Sequence, residues 1–387
     1  MAARVVIVLA LLATVLLGGP QPAQAATDPP LSVERGAVMA VLHCPASFTK
    51  PKTPVLLVHG TGSTSAESWA HSYAKTLPPA GHDVCTIDLP QRALGDIQVA
   101  AEYVVVAIHE VAARSGRHID VLGHSQGGLE PRWALKWFPS TQALVDDYVS
   151  LSTPQHGSLD AAGVCTVGTC APAVWQQRPG SKFLDALNAG DETPGDVSYT
   201  SIYSLTDEIV PELPPPATSI IQGGRSIAVQ DVCPARPVNH VGALHDAVEF
   251  ALVTDAFDHP GPADPARLSS ATCLGLLAPG LDPTDAAYIQ SVGLGEAGLN
   301  TVVTGPKSSA EPPLMPYVLA SQTAAAAAPQ SAPAPQSVPG QPGGSAPPAA
   351  APPPAAQGSA LASTGGSPLA GPALIVLALV LVTRRWR

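Results

Sequence analysis

Two rhythms of apolar and polar positions alternate along the middle of the chain. Val55-Leu56-Leu57-Val58 is a continuous apolar run, the pattern of a strand buried on both faces. Val84-Cys85-Thr86-Ile87 reads as a second strand. A helix is predicted from about Asp96 to Arg114, stopped by Ser115-Gly116. Ile119-Asp120-Val121-Leu122 predicts a short buried strand. From Gln126 onward, Leu129, Trp133, Leu135, Trp137 and Phe138 recur at helical spacing until Pro139 ends the run. Further strands are predicted at Tyr148 to Ser152, Tyr199 to Tyr203 and Ser226 to Val229, and a helix over Ala243 to Phe257. Strands alternating with helices predict an α/β fold, a mostly parallel central sheet flanked by helices.

Both ends break this pattern. Residues 1–25 carry an early Arg4, an apolar run from Val5 to Leu17 and a small-residue Ala23-Gln24-Ala25, and read as a secretory signal peptide. Residues 320–360 are almost entirely Ala, Pro, Gln, Ser and Gly. That composition buries too little apolar surface to offset ordering, so it reads as a disordered or polyproline-like spacer. Residues 26–319 remain as one domain, near the upper end of what a single core supports. The net charge is −11, and no basic stripe interrupts it, which argues against nucleic acid as a partner. Six cysteines in an exported chain point to disulfides rather than a metal site, and spacing alone does not choose their pairing.

The stretch "VLGHSQGGLE", Val121 to Glu130, puts a serine between glycines where a predicted strand meets a predicted helix. In that setting G-x-S-x-G is a nucleophile elbow. Gly123 and Gly127 leave room for the tight turn and Ser125 stands at the strand end. The following helix turns its unpaired N–H groups and positive dipole end toward any oxyanion formed there. A serine hydroxyl needs a base, and the base an orienting acid. With the acid and then the histidine following the serine, Asp207 in "YSLTDEIVP" is the preferred acid and Glu208 its competitor. Of His240, His245 and His259, His240 in "PVNHVGALHD" lies on a loop before a helix, whereas His245 falls inside the helical pattern. The backbone N–H of Gln126, with the N–H and hydroxyl of Thr61 in "VHGTGST", are the expected oxyanion donors. His156 reads as structural; Ile209 and Val210 suit an acyl wall and a core position equally. No cofactor and no metal are implied.

The motifs "LLVHGTGST", "SQGGL", "APAVWQQ", "YSLTDEIV" and "GPKSSAEPPLMPY" resemble, in the same order, those of the lipase B family of yeast and its bacterial relatives, from about Val38 to Tyr317. The resemblance implies an α/β-hydrolase fold and a secreted lipase acting on lipid or other esters. It implies Ser125 as nucleophile, Asp207 as acid, His240 as base, and Thr61 with Gln126 as oxyanion hole. It also implies the pairs Cys44–Cys85 and Cys233–Cys273. Cys165 and Cys170 are extra relative to the family, in the segment resembling its small mobile helix over the pocket entrance. They are expected to pair with each other, since Gly168 lets the intervening residues turn. His124 stands where the yeast enzyme has Trp on the alcohol side, so that side is expected to be roomier and more polar. Pro131 is expected to bend the helix. An esterase, a polyesterase or an acyltransferase with the same residues competes with the lipase reading, as does a non-catalytic wall-attached binding protein.

"LASTG" in residues 361–387 is followed by an apolar run from Leu369 to Val382 and three closing arginines. This resembles a sortase cell-wall sorting signal of the actinobacterial variant. It implies cleavage between Thr364 and Gly365 and attachment to the wall by a transpeptidase. The apolar run is about 14 residues, short against the ~20 of a membrane span, and a plain C-terminal anchor is the alternative.

Overall fold

The computed structural model describes residues 27–212, 218–293 and 304–327. Among them, seven strands form one sheet: β1 (Leu42–His43), β2 (Val55–Val58), β3 (Val84–Ile87), β4 (Ile119–His124), β5 (Val145–Leu151), β6 (Ser198–Tyr203) and β7 (Arg225–Ala228). Their order is β1-β3-β2-β4-β5-β6-β7. Only β1 runs antiparallel; every other pairing is parallel. The helices are α1 (Arg35–Met39), α2 (Ser65–Trp69), α3 (Tyr73–Ala80), α4 (Ile97–Ser115), α5 (Leu129–Trp137) and α6 (Leu159–Val164). Then come α7 (Pro172–Gln176), α8 (Lys182–Asn188), α9 (Val229–Val232), α10 (Ala247–Asp258), α11 (Pro283–Gly293) and α12 (Pro316–Ala327).

Alternate residues of β2 feed two cores, one on each face of the sheet. Leu56 and Val58 pack with Val121, Tyr148, Trp133 and Phe183. Val55 and Leu57 pack with Leu122, Val149, Ile202, Val248 and Leu252. Each such buried aliphatic side chain contributes about 1.5–3 kcal/mol, and a one-residue slip of β2 would exchange its two faces. Helix α4 starts and stops where the sequence predicts. Asp96 accepts the Gln98 N–H at 2.9 Å, and Gly116 closes it at φ 66°.

Two predicted helices differ in detail. The elbow helix opens with a tight 3-10 turn at Ser125–Gly128, and α5 begins only at Leu129. Pro131 is the third residue of α5. The first-turn N–H groups have no helical acceptor, so the proline leaves the helix uninterrupted. The predicted Ala243 to Phe257 helix is two pieces, a 3-10 turn at His240–Leu244 and then α10. Asp246 separates them, accepting the N–H groups of Val248 and Glu249 at 2.8 and 3.2 Å as the cap of α10. His245 therefore lies outside the helix.

All six cysteines are paired: Cys44–Cys85, Cys165–Cys170 and Cys233–Cys273. Three disulfides fit an extracellular protein. Among the described residues no helix is long and apolar enough to cross a membrane. The predicted signal peptide, and the sorting segment with Thr364 and Gly365, lie outside the described residues.

Candidate active site

Strand β4 delivers Ser125 into a turn with φ 56°, the left-handed region that strains a non-glycine residue by about 1–3 kcal/mol. The glycines make this turn feasible by close backbone approach. A Cβ on Gly123 would lie 2.1 Å from the Gly127 carbonyl oxygen, and one on Gly127 would lie 2.2 Å from that of Val58. Gly128 is equally constrained, with Thr153 Oγ1 at 2.3 Å from its notional Cβ.

The preferred acid and histidine meet, although 33 residues apart in sequence: His240 Nδ1 donates to Asp207 Oδ2 at 2.8 Å. Asp207 Oδ1 accepts the backbone N–H groups of Ile209 and Val210 at 2.8 and 2.7 Å. Burial pushes the Asp207 pKa up, but His240 and these donors outweigh it and hold it at about 2. For His240, burial favours the neutral ring, yet the Asp207 charge and hydrogen bond raise its pKa above the ordinary value. Nδ1 is thus occupied, which leaves Nε2 for Ser125. Glu208, the competing acid, instead accepts the His240 backbone N–H at 3.0 Å. Among the described residues the Ser125 hydroxyl has no hydrogen bond; such contacts tighten in the substrate complex.

Thr61 and Gln126 also come together. The Thr61 hydroxyl donates to Gln126 Oε1 at 2.5 Å, and Gln177 Nε2 donates to the same oxygen at 2.9 Å and to Thr61 Oγ1 at 3.1 Å. The Gln126 side chain thereby ties down Thr61, the residue expected to serve an oxyanion. The Thr61 loop is clamped from below. Gln91, Arg92 and Ala93 are three consecutive residues at φ 54°, 58° and 57°. From that strained turn Arg92 Nε donates to the Gly62 carbonyl at 3.0 Å, and its own carbonyl accepts the Gly62 N–H at 2.8 Å. Buried His59 fixes the other side: its Nε2 accepts the Leu89 N–H, so its proton sits on Nδ1 and is donated to the Gly60 carbonyl.

Of the pocket candidates, His124 donates from Nε2 to the His240 carbonyl at 2.9 Å, and the two rings lie 4.9 Å apart. Burial and the neighbouring His240 lower its pKa to about 3, so the ring is neutral. Val210 is buried while Ile209 is 39% exposed, and both serve Asp207 through their backbones. His156 pairs with Glu192 at 3.3 Å. Sequence reasoning missed Gln177 and Glu130. Gln177 stood inside the quoted "APAVWQQ", but nothing local reveals that the second glutamine reaches Thr61. Among the described residues no group of His, Cys, Asp or Glu suits a metal ion.

Residues 52–227 match the family model described as Lipase (class 2). Over 299 residues the chain is 34% identical to lipase B of Pseudozyma antarctica, covering 75% of this chain and 86% of that one. The crystal structure of Aspergillus fumigatus lipase B superposes with a TM-score of 0.70 at 32% identity, over 78% of this chain and 77% of the other. With the sheet order and the elbow already in hand, the conclusion is direct: this chain belongs to the lipase B family of α/β-hydrolases, within the carboxylic ester hydrolases.

Proposed function

We propose that this protein hydrolyses lipid esters through an acyl-enzyme on Ser125. The observation that carries the reading is the 2.8 Å Asp207–His240 pair, tied through the His240 carbonyl to His124, the residue before a serine held at φ 56°. Ser125 Oγ attacks the ester carbonyl as His240 Nε2 takes its proton, and Asp207 stabilises the imidazolium. The Gln126 N–H and Thr61 hold the tetrahedral oxyanion. His240 then protonates the leaving alkoxide, and water releases the acyl group by the same route. Lipid over small soluble esters is supported by apolar side chains left in solvent: Leu159 is 51% and Val164 45% exposed on α6. Ile209 belongs to the same rim, since its carbonyl accepts the hydroxyl of Ser158, which caps α6. Rates measured against acyl length, beside Ser125→Ala, test this. Hydrolysis no greater than that of the variant would remove the enzyme reading.

We further propose export by the leader of residues 1–25 and wall attachment through Thr364 by a sortase-type transpeptidase. Wall-lytic enzymes then release the protein and detergent does not. Detergent release of the intact chain, with Arg387 present, would leave a plain anchor.

A further inference from the structure

Glu130 lies one helical turn beyond Gln126 and is fully buried. Its Oε1 accepts a hydrogen bond from Gln126 Nε2 at 2.7 Å, while Oε2 is buried without a partner among the described residues. An amide has one end that only donates and one that only accepts. With Nε2 drawn to Glu130, the Gln126 Oε1 must face the two donors on its other side, the Thr61 hydroxyl and the Gln177 amide. A flipped amide would set Nε2 against Gln177 Nε2, donor against donor.

We propose that Glu130 is a positioning residue of the oxyanion hole, holding the Gln126–Thr61 pair in register as a neutral carboxylic acid and weakening the site when it ionises. Oε1 accepts, so the proton belongs on Oε2. Burial raises the Glu130 pKa to about 8, against an ordinary 4.5. The elements packed against α5 carry Glu102 of α4, Asp120 and His124 of β4, Lys182 and Asp185 of α8 and Tyr317 of α12; on β5, burial and, less strongly, the Glu130 charge raise the Tyr148 pKa. Arg132, on the same helix, is directed to Glu192 and Gln155. Among the described residues no cation acts on Glu130, whose pKa is set by burial against the Gln126 hydrogen bond. Once ionised, it places a negative charge beside the residue whose N–H must stabilise another, in a site that screens poorly.

The proposal rests on the acyl-enzyme reading above, and its test separates the two. The full chain is assayed on a soluble short-chain ester from pH 6 to 10. In the wild type kcat is expected to fall on the order of tenfold above pH 8, with KM little changed. Glu130→Gln keeps the acceptor and the neutral charge, so it should match the wild type at pH 7 and stay flat to pH 9.5. An unchanged alkaline fall in E130Q overturns the proposal while leaving ester hydrolysis intact; a wild type without activity at any pH would instead sink the function. Should E130Q not fold, Glu130→Met, which removes the titrating group altogether, decides: an alkaline fall in kcat as steep as that of the wild type overturns the proposal.

Discussion

Gly60 packs directly against the Ser125 side chain: a Cβ on Gly60 would lie 2.8 Å from Ser125 Cβ and 3.4 Å from its Oγ. The loop carrying Thr61 therefore reaches Ser125 only because residue 60 has no side chain. Gly60→Ala should push the loop and the serine apart, costing on the order of 100-fold in kcat, while the chain stays folded by near-UV circular dichroism. Retention of most of the wild-type rate would mean that the two segments do not cooperate.

With His240 as the proposed base and Asp207 as its acid, the acid side of the pH profile follows from their pairing. The base works when neutral, and its pKa is raised above 6.5, so kcat/KM should climb with pH through a midpoint above 6.5. Asp207 stays ionised down to about pH 2, and thus adds no limb of its own in that range. Asp207→Asn should lower kcat on the order of 10⁴-fold. A profile flat from pH 5 to 8 would show that His240 is not the base.

Much of this site was legible in the sequence because its signals are local. The elbow is a five-residue pattern at a strand–helix junction, and Asp207 follows directly on from the β6 segment. The parts that were not legible depend on contacts between distant segments. His124 gave no sign that it would bind the carbonyl of His240, 116 residues away. Asp246 hid the break before α10, because an apolar periodicity continues across a cap. Glu130 gave no local sign of its place, because its burial depends on helix packing.

His124 supports His240 from below. His124→Phe keeps a ring in the contact but removes the donor to the His240 carbonyl. A net hydrogen bond is worth about 1 kcal/mol, so kcat should fall several-fold with the midpoints of the pH profile unmoved. A shifted acid midpoint would instead assign His124 an electrostatic role.

Asp120 is buried on β4, and among the described residues neither of its carboxyl oxygens has a hydrogen-bond partner. Burial raises its pKa well above 3.8, with Asp147 and Asp146 adding repulsion. Below pH 3.8 it is protonated folded and unfolded alike, and no penalty arises. As pH rises from there toward the folded pKa, only the unfolded chain gives up the proton, so stability falls. Asp120→Asn should raise Tm by a few degrees at pH 8 and by less at pH 4. An equal change at both pH values would deny the titration.

Whether Ser125 is the nucleophile of an ester hydrolase is decided by covalent trapping. The full chain is treated with a chromogenic alkyl phosphonate while residual ester hydrolysis is followed, and the adduct is located by peptide mass spectrometry. The account predicts one adduct per chain, on Ser125, formed in step with loss of activity, and neither labelling nor turnover in Ser125→Ala. Hydrolysis that persists in Ser125→Ala, or an inactivating adduct on another residue, would contradict it.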